Sequence, residues 1–194
     1  MPLLNEMLEH NKVFVETKAY ERFRTAKFPE KKLAIVACMD TRLIELLPNA
    51  LGLKHGDMKM IKNAGAVVVH PWGSVMRSLV VAVYALRVRE ICIIAHDDCG
   101  MATTDPAKVL QEAHNRGISE QSMNTLRSAG VDIDNWLCGF GDVENSVRNS
   151  VELVRTHPLM PKDVPIHGCV IHPETGAVRL VIDGYKALPE ATSA

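Results

Sequence analysis

Apolar and polar positions divide the chain into alternating helix-like and strand-like stretches. Residues 3–27, "LLNEMLEHNKVFVETKAYERFRTAK", set Leu4, Met7, Leu8, Val15 and Tyr20 among charges at roughly helical intervals without Gly or Pro, predicting an amphipathic helix with a break near Asn11. After Pro29 the run "LAIVAC", 33–38, is short and uniformly apolar, as in a parallel strand covered on both faces. There follow a short helix over "LIELLPNALGL", a strand over "DMKMIKNAG" with a glycine turn, a strong helix over "SVMRSLVVAVYALRV" and a strand at "EICIIAHDDCG".

Between Pro106 and about Met160 the pattern is helical in pieces, broken at Gly117, at Gly130 and at "CGFGD", where Asp142 is placed to cap "VENSVRNSVELVR". The stretches "VPIHGCVI" and "AVRLVI", joined by "HPETG", read as two strands around a turn. Strand and helix thus alternate, which predicts an α/β fold: a mostly parallel sheet of about four strands plus an antiparallel edge strand, flanked by helices, with right-handed crossovers. No repeat or linker separates a second domain, so residues 1–194 are expected to form one.

With 47% apolar and 23% charged residues and a formal charge of −1, the chain lacks the compositional marks of disorder and the basic footprint of a nucleic-acid binder. Five cysteines form no regular disulfide spacing, so reduced thiols are expected. Glu6, Glu9 and Lys12 interrupt the N-terminal stretch, which therefore reads neither as a secretory leader nor as a membrane span. These features predict a soluble, cytoplasmic protein.

Candidate chemistry lies where two apolar strands end. In "AIVACMDTRL" Cys38, Asp40 and Arg42 occupy alternate positions, which would share one face if the strand continued through them. In "HDDC" His96 and Cys99 stand three positions apart, close enough for one ion. The carboxyl ends of parallel strands form the crevice where ligands collect, so the two half-sites can meet there. Cys38, His96 and Cys99 would then supply three zinc ligands and leave a fourth position to water. Each half alone also fits a packing role, since a lone Cys behaves as a small hydrophobe and two donors cannot close a site.

Taken together, "CMDTR" and "HDDCG" resemble the Cys-x-Asp-x-Arg and His-x-x-Cys signatures of the beta-class carbonic anhydrases. "IKNAGAVV" is similar to that family's Arg-Asn-Ala-Gly segment and "GCVIHPETGAVRLV" to its closing strands, so the likeness spans residues 30–183, the expected zinc-binding core. Residues 1–28 remain as an N-terminal helical arm. The resemblance implies one Zn²⁺ on Cys38, His96 and Cys99, an Asp40–Arg42 pair beside it, and reversible hydration of carbon dioxide to bicarbonate and a proton by a zinc-bound hydroxide.

The resemblance also implies a homodimer or higher homo-oligomer gripped by the arm, without nucleic acid or membrane as a partner. Two thiolates neutralise the ion and so acidify its water less than a three-histidine site does, which predicts alkaline activity. Asp40 has two possible places in this family: on Arg42, orienting the nucleophile, or on the metal as a fourth ligand in a closed state. Arg42 favours the first by holding the carboxylate in a bidentate grip.

Ile35 stands where some bacterial members look to have a Trp serving a secondary bicarbonate site, so no such site is expected, and Thr41 keeps the hydroxyl of the family's usual Ser. Rival readings are a carbonyl sulfide or carbon disulfide hydrolase of the same fold, a non-catalytic zinc protein with a closed site, and a thiol redox protein. Gly65 and Gly100 read as turn residues that would also let backbone approach a small substrate. His55, His70, His114, His157, His167 and His172 read as surface or loop residues, His114 being the best placed as a proton shuttle. Cys92, Cys138 and Cys169 read as core, and Asp97 and Asp98 as solvated or turn-capping.

Overall fold

The computed structural model describes residues 2–188. Helix α1 runs Leu3–Glu16, passing through Asn11 without a break. It ends where the Thr17 hydroxyl donates to the Val13 carbonyl at 2.7 Å, a side-chain bond that competes with helix continuation. Lys18 then takes a left-handed φ of 54°, and a 3₁₀ turn follows at Ala19–Phe23. The helix expected over 3–27 is therefore divided at 17–18, and none of the α1 residues is buried.

Five strands form one sheet: β1 (Leu33–Cys38), β2 (Met58–Asn63), β3 (Glu90–His96), β4 (Ile166–Ile171) and β5 (Val178–Ile182). Their order is β2-β1-β3-β4-β5, with β5 antiparallel to β4 and the other pairs parallel. The crossovers carry α2 (Leu43–Ala50), α3 (Ser74–Leu86), α4 (Pro106–Asn115), α5 (Glu120–Ser128), α6 (Ile133–Leu137) and α7 (Val143–Thr156). The architecture is the α/β arrangement that the alternating pattern predicts.

The chemistry of each segment explains its place. Ala34, Ile35, Val36 and Ala37 have no exposed surface, which is why β1 is apolar at every position instead of at alternate ones. Helix α7 lays Val147, Val151 and Val154 on the sheet, and Gly168 of β4 lets it approach: a Cβ there would sit 2.5 Å from Val147 Cγ1. Asp142 caps α7, its carboxylate accepting from the Asn145 amide at 2.7 Å. Among the described residues no helix is long and apolar enough to cross a membrane.

Candidate metal centre

Adjacent parallel strands bring the two half-sites together. β1 ends on Cys38 and β3 on His96, with Ala37 and Ile94 in register between the strands. After His96 the chain must double back within two residues; Asp98 takes a left-handed φ of 55° to do so, and Cys99 opens the 3₁₀ turn Gly100–Thr103. The outcome is a buried triad: Cys38 Sγ and Cys99 Sγ are 3.9 Å apart, and both lie within 4.8 Å of a His96 ring nitrogen.

The donor set fits zinc. His96 Nδ1 donates to the Asp97 carbonyl at 2.8 Å, so Nε2 keeps its lone pair, and Nε2 is buried without a hydrogen-bond partner. An orphaned imidazole nitrogen beside two buried sulfurs is costly without an ion and well suited to one that prefers tetrahedral N/S ligation.

The two thiols differ in acidity. Burial opposes ionisation of Cys38, but His96 and the backbone amides of Asp40 and Gly65 outweigh it and lower the thiol to about 7. The Gly65 amide donates to Cys38 Sγ at 3.4 Å, from a glycine with φ 81°. Cys99 is raised to about 11, first by burial and then by the neighbouring Cys38. His96 is raised chiefly through its contact with Cys38, against the effect of burial.

Asp40 and Arg42 meet by another route than strand alternation. β1 stops at Cys38, and Thr41–Arg42 form a turn, with Arg42 at φ −62°, ψ −26°. The turn lets the Arg42 amide donate to Asp40 Oδ1 at 2.8 Å while its guanidinium forks onto the same carboxylate, Nη2 to Oδ2 at 2.8 Å and Nε to Oδ1 at 3.1 Å. Arg42 thereby lowers the Asp40 carboxyl to about 2. Asp40 Oδ2 lies 3.7 Å from His96 Nε2. Cys38, Asp40, Arg42, Gly65, His96 and Cys99 all line a cleft of about 550 Å³.

Several residues are placed otherwise than their local sequence implies. Asp97 receives both terminal nitrogens of Arg179, at 2.7 and 2.8 Å, and this pairing lowers its carboxyl. Asp98 accepts from Arg42 Nη1 at 3.2 Å but keeps its side chain 84% exposed, as expected of a solvated residue, so of the two aspartates of "HDDC" it is Asp97 that is placed otherwise. His157 and His167 are buried instead of surface residues: His157 Nε2 donates to the Pro71 carbonyl at 3.0 Å, and His167 Nδ1 accepts from the Gly184 amide at 3.1 Å.

His114 is tied to the Ile118 carbonyl at 3.2 Å in the last turn of α4. Cys138 is exposed at the end of the short helix α6, not in the core, while Cys92 and Cys169 are half-buried and 3.9 Å apart. Gly100 meets nothing that a Cβ would clash with, unlike Gly65.

Comparison with known proteins agrees with this geometry. The carbonic anhydrase family profile matches residues 33–178, which contain the whole triad, Asp40 and Arg42. A protein of Bacillus subtilis (strain 168) named "Putative carbonic anhydrase YvdA" is 55% identical over 186 residues, covering 96% of this chain and 94% of that one. A carbon disulfide hydrolase of Acidithiobacillus thiooxidans is 31% identical over 159 residues, 77% of this chain and 76% of its own. The crystal structure of beta-carbonic anhydrase isoform I from Trichomonas vaginalis superposes with a TM-score of 0.87 at 36% identity, covering 95% of this chain and 100% of that one. With the two cysteines and the histidine gathered at the ends of β1 and β3 in this fold, the chain belongs to the beta-class carbonic anhydrase family.

Proposed function

We propose that this protein catalyses the reversible hydration of carbon dioxide to bicarbonate and a proton, with one Zn²⁺ held by Cys38 Sγ, His96 Nε2 and Cys99 Sγ. The observation that carries this reading is the position of Asp40, gripped by Arg42 at 2.8 Å yet 3.7 Å from the free nitrogen of His96. Bound there, zinc supplies a Lewis acid able to make water nucleophilic at moderate pH.

The side chains supply the rest. Asp40, ionised down to about 2, is a pure acceptor; it takes a hydrogen bond from the reacting water and turns the water's lone pair toward the substrate carbon. Arg42 holds that carboxylate to one side of the triad, so that it orients water instead of filling the water's place. The proton released with bicarbonate leaves through the cleft mouth to solvent.

Support for carbon dioxide comes from the Bacillus subtilis relative at 55% identity; the carbon disulfide hydrolase at 31% supports a second reading, in which the same centre attacks a linear sulfur analogue. Stopped-flow hydration of carbon dioxide, run beside sulfide release from carbon disulfide and carbonyl sulfide with metal content measured on the same preparation, separates them. We expect zinc-dependent carbon dioxide turnover to dominate. Rapid sulfide release with negligible carbon dioxide turnover overturns the proposal.

A homodimer or larger homo-oligomer belongs to the same proposal. Helix α1 exposes Leu3, Leu4, Met7, Leu8 and Val15 along one side, and no α1 residue is buried among the described residues, so this apolar side suits a second copy of the chain. The five unpaired cysteines suit a reducing, cytoplasmic setting.

A further inference from the structure

We infer that Arg179, on the edge strand β5, is a positioning residue for His96, acting through Asp97. The inference rests on the proposed zinc site and extends it to a residue outside the cleft. Arg179 Nη1 donates to Asp97 Oδ2 at 2.7 Å and Nη2 to Asp97 Oδ1 at 2.8 Å, a two-pronged grip on one carboxylate. Its remaining Nε donates to Glu144 Oε1 at 3.1 Å, in the first turn of α7. Arg179 thus ties the loop between His96 and Cys99 to both β5 and α7.

What the grip controls is a peptide group. The Asp97 carbonyl accepts the proton of His96 Nδ1 at 2.8 Å, and the Asp97 amide donates to the Ile171 carbonyl at 3.1 Å at the end of β4. With its amide held by β4 and its carboxylate by β5, residue 97 is anchored on two sides, which restrains the carbonyl that faces the imidazole. That carbonyl fixes the tautomer, proton on Nδ1 and lone pair on Nε2, and points Nε2 at the two sulfurs.

The need for such a restraint is local. Asp98, the next residue, is held in the left-handed region at φ 55°, where a non-glycine side chain is disfavoured, so the turn toward Cys99 requires support from outside itself. Arg42 braces it from one side through Asp98, and Arg179 from the other through Asp97. An ordinary surface ion pair would contribute to the fold only; this one bears on the nitrogen that would meet the metal.

The test compares zinc affinity, by chelator competition on the folded protein, and the visible spectrum of the cobalt-substituted protein, for wild type, Arg179→Gln and Asp97→Asn. Arg127→Gln, which breaks the Arg127–Asp134 pair at 3.2 Å between residues that do not line the cleft, is the control. We expect Arg179→Gln and Asp97→Asn each to lose roughly tenfold to a hundredfold in zinc affinity with a shifted cobalt spectrum. The double variant should be no worse than either single one, and Arg127→Gln should match wild type.

A purely structural role predicts instead a lower melting temperature with unchanged affinity and spectrum, and that result overturns the inference. If Arg179→Gln does not fold, the near-isosteric Asp97→Asn decides on the same two readouts. Failure of the wild type to bind zinc overturns the metal reading itself, whereas wild-type binding retained in both variants overturns only the role of Arg179.

Discussion

Asp40 Oδ2 stands 3.7 Å from His96 Nε2, and its hydrogen-bond partner is the guanidinium of Arg42, not the imidazole. With zinc on the triad as proposed, a carboxylate so placed would be close enough to steer a water on the ion and restrained enough to leave that water its place.

Replacing Asp40 tests the steering role. Asp40→Ala leaves all three proposed ligands intact, so zinc content should stay near one per chain while carbon dioxide turnover falls by about 100-fold or more. Cys38→Ser should lose both. Metal analysis and stopped-flow hydration on the same samples check this, and full turnover in Asp40→Ala would mean the carboxylate orients nothing.

Arg42 should also leave a mark on acid stability. The Asp40 carboxyl is lowered to about 2 when folded, so its contribution to stability is fully present above the unfolded value of about 3.9 and is lost as pH falls toward about 2. Arg42→Gln removes the cause of the depression. Urea unfolding should therefore show the variant less stable than wild type at neutral pH, with the gap closing between about pH 4 and pH 2. A gap independent of pH would assign the loss to something other than the ion pair.

Zinc binding should strengthen as pH rises. Cys99, near 11 without metal, carries its proton across the physiological range and must release it on binding, whereas Cys38, near 7, does so only at lower pH. Affinity should climb by up to about tenfold per pH unit for each proton released, more steeply below about 7 than above it. Chelator competition from pH 6 to 9 measures the slope. In the metal-free protein a small alkylating reagent at pH 8 should label Cys38 ahead of Cys99, as read by peptide mass analysis.

Gly65 couples backbone conformation to the centre. Its φ of 81° disfavours a side chain, and a Cβ there would meet Phe140 Cε1 at 2.8 Å and Met101 Cγ at 3.0 Å. Gly65→Ala should cost about 1–3 kcal/mol in chemical denaturation and weaken zinc retention, because its amide donates to Cys38 Sγ. Gly100→Ala, where nothing lies within 4 Å of the added carbon, should do neither.

Asp142 offers a contrast away from the cleft. Asp142→Ala removes the cap on the Asn145 amide and should cost about 1 kcal/mol by urea unfolding, leaving zinc affinity unchanged. A change in affinity would show that the α7 terminus bears on the centre.

The strands and the main helices are legible in the order of residues, because each depends on local pattern, and the same pattern marks Cys38 and His96 as strand ends without by itself making them ligands. A short, wholly apolar run such as Leu33–Cys38 identifies a strand covered on both faces, and Cys38 and His96 stand at the ends of such runs whatever surrounds them. Asp142 was legible as a cap for the same reason, since a cap bonds within its own helical turn.

Tertiary structure decided what depends on distant partners. Asp97 and Asp98 look alike in sequence, but one meets Arg179, 82 positions away, and the other meets Arg42, 56 positions away. His157 and His167 became buried residues only when Pro71 and Gly184 were folded against them. Even Asp40 and Arg42, two positions apart, pair because β1 stops at Cys38 and the chain turns. Pattern determines where each segment exposes its apolar face; which charge meets which depends on how the packed segments bring distant loops together, and no local pattern carries that.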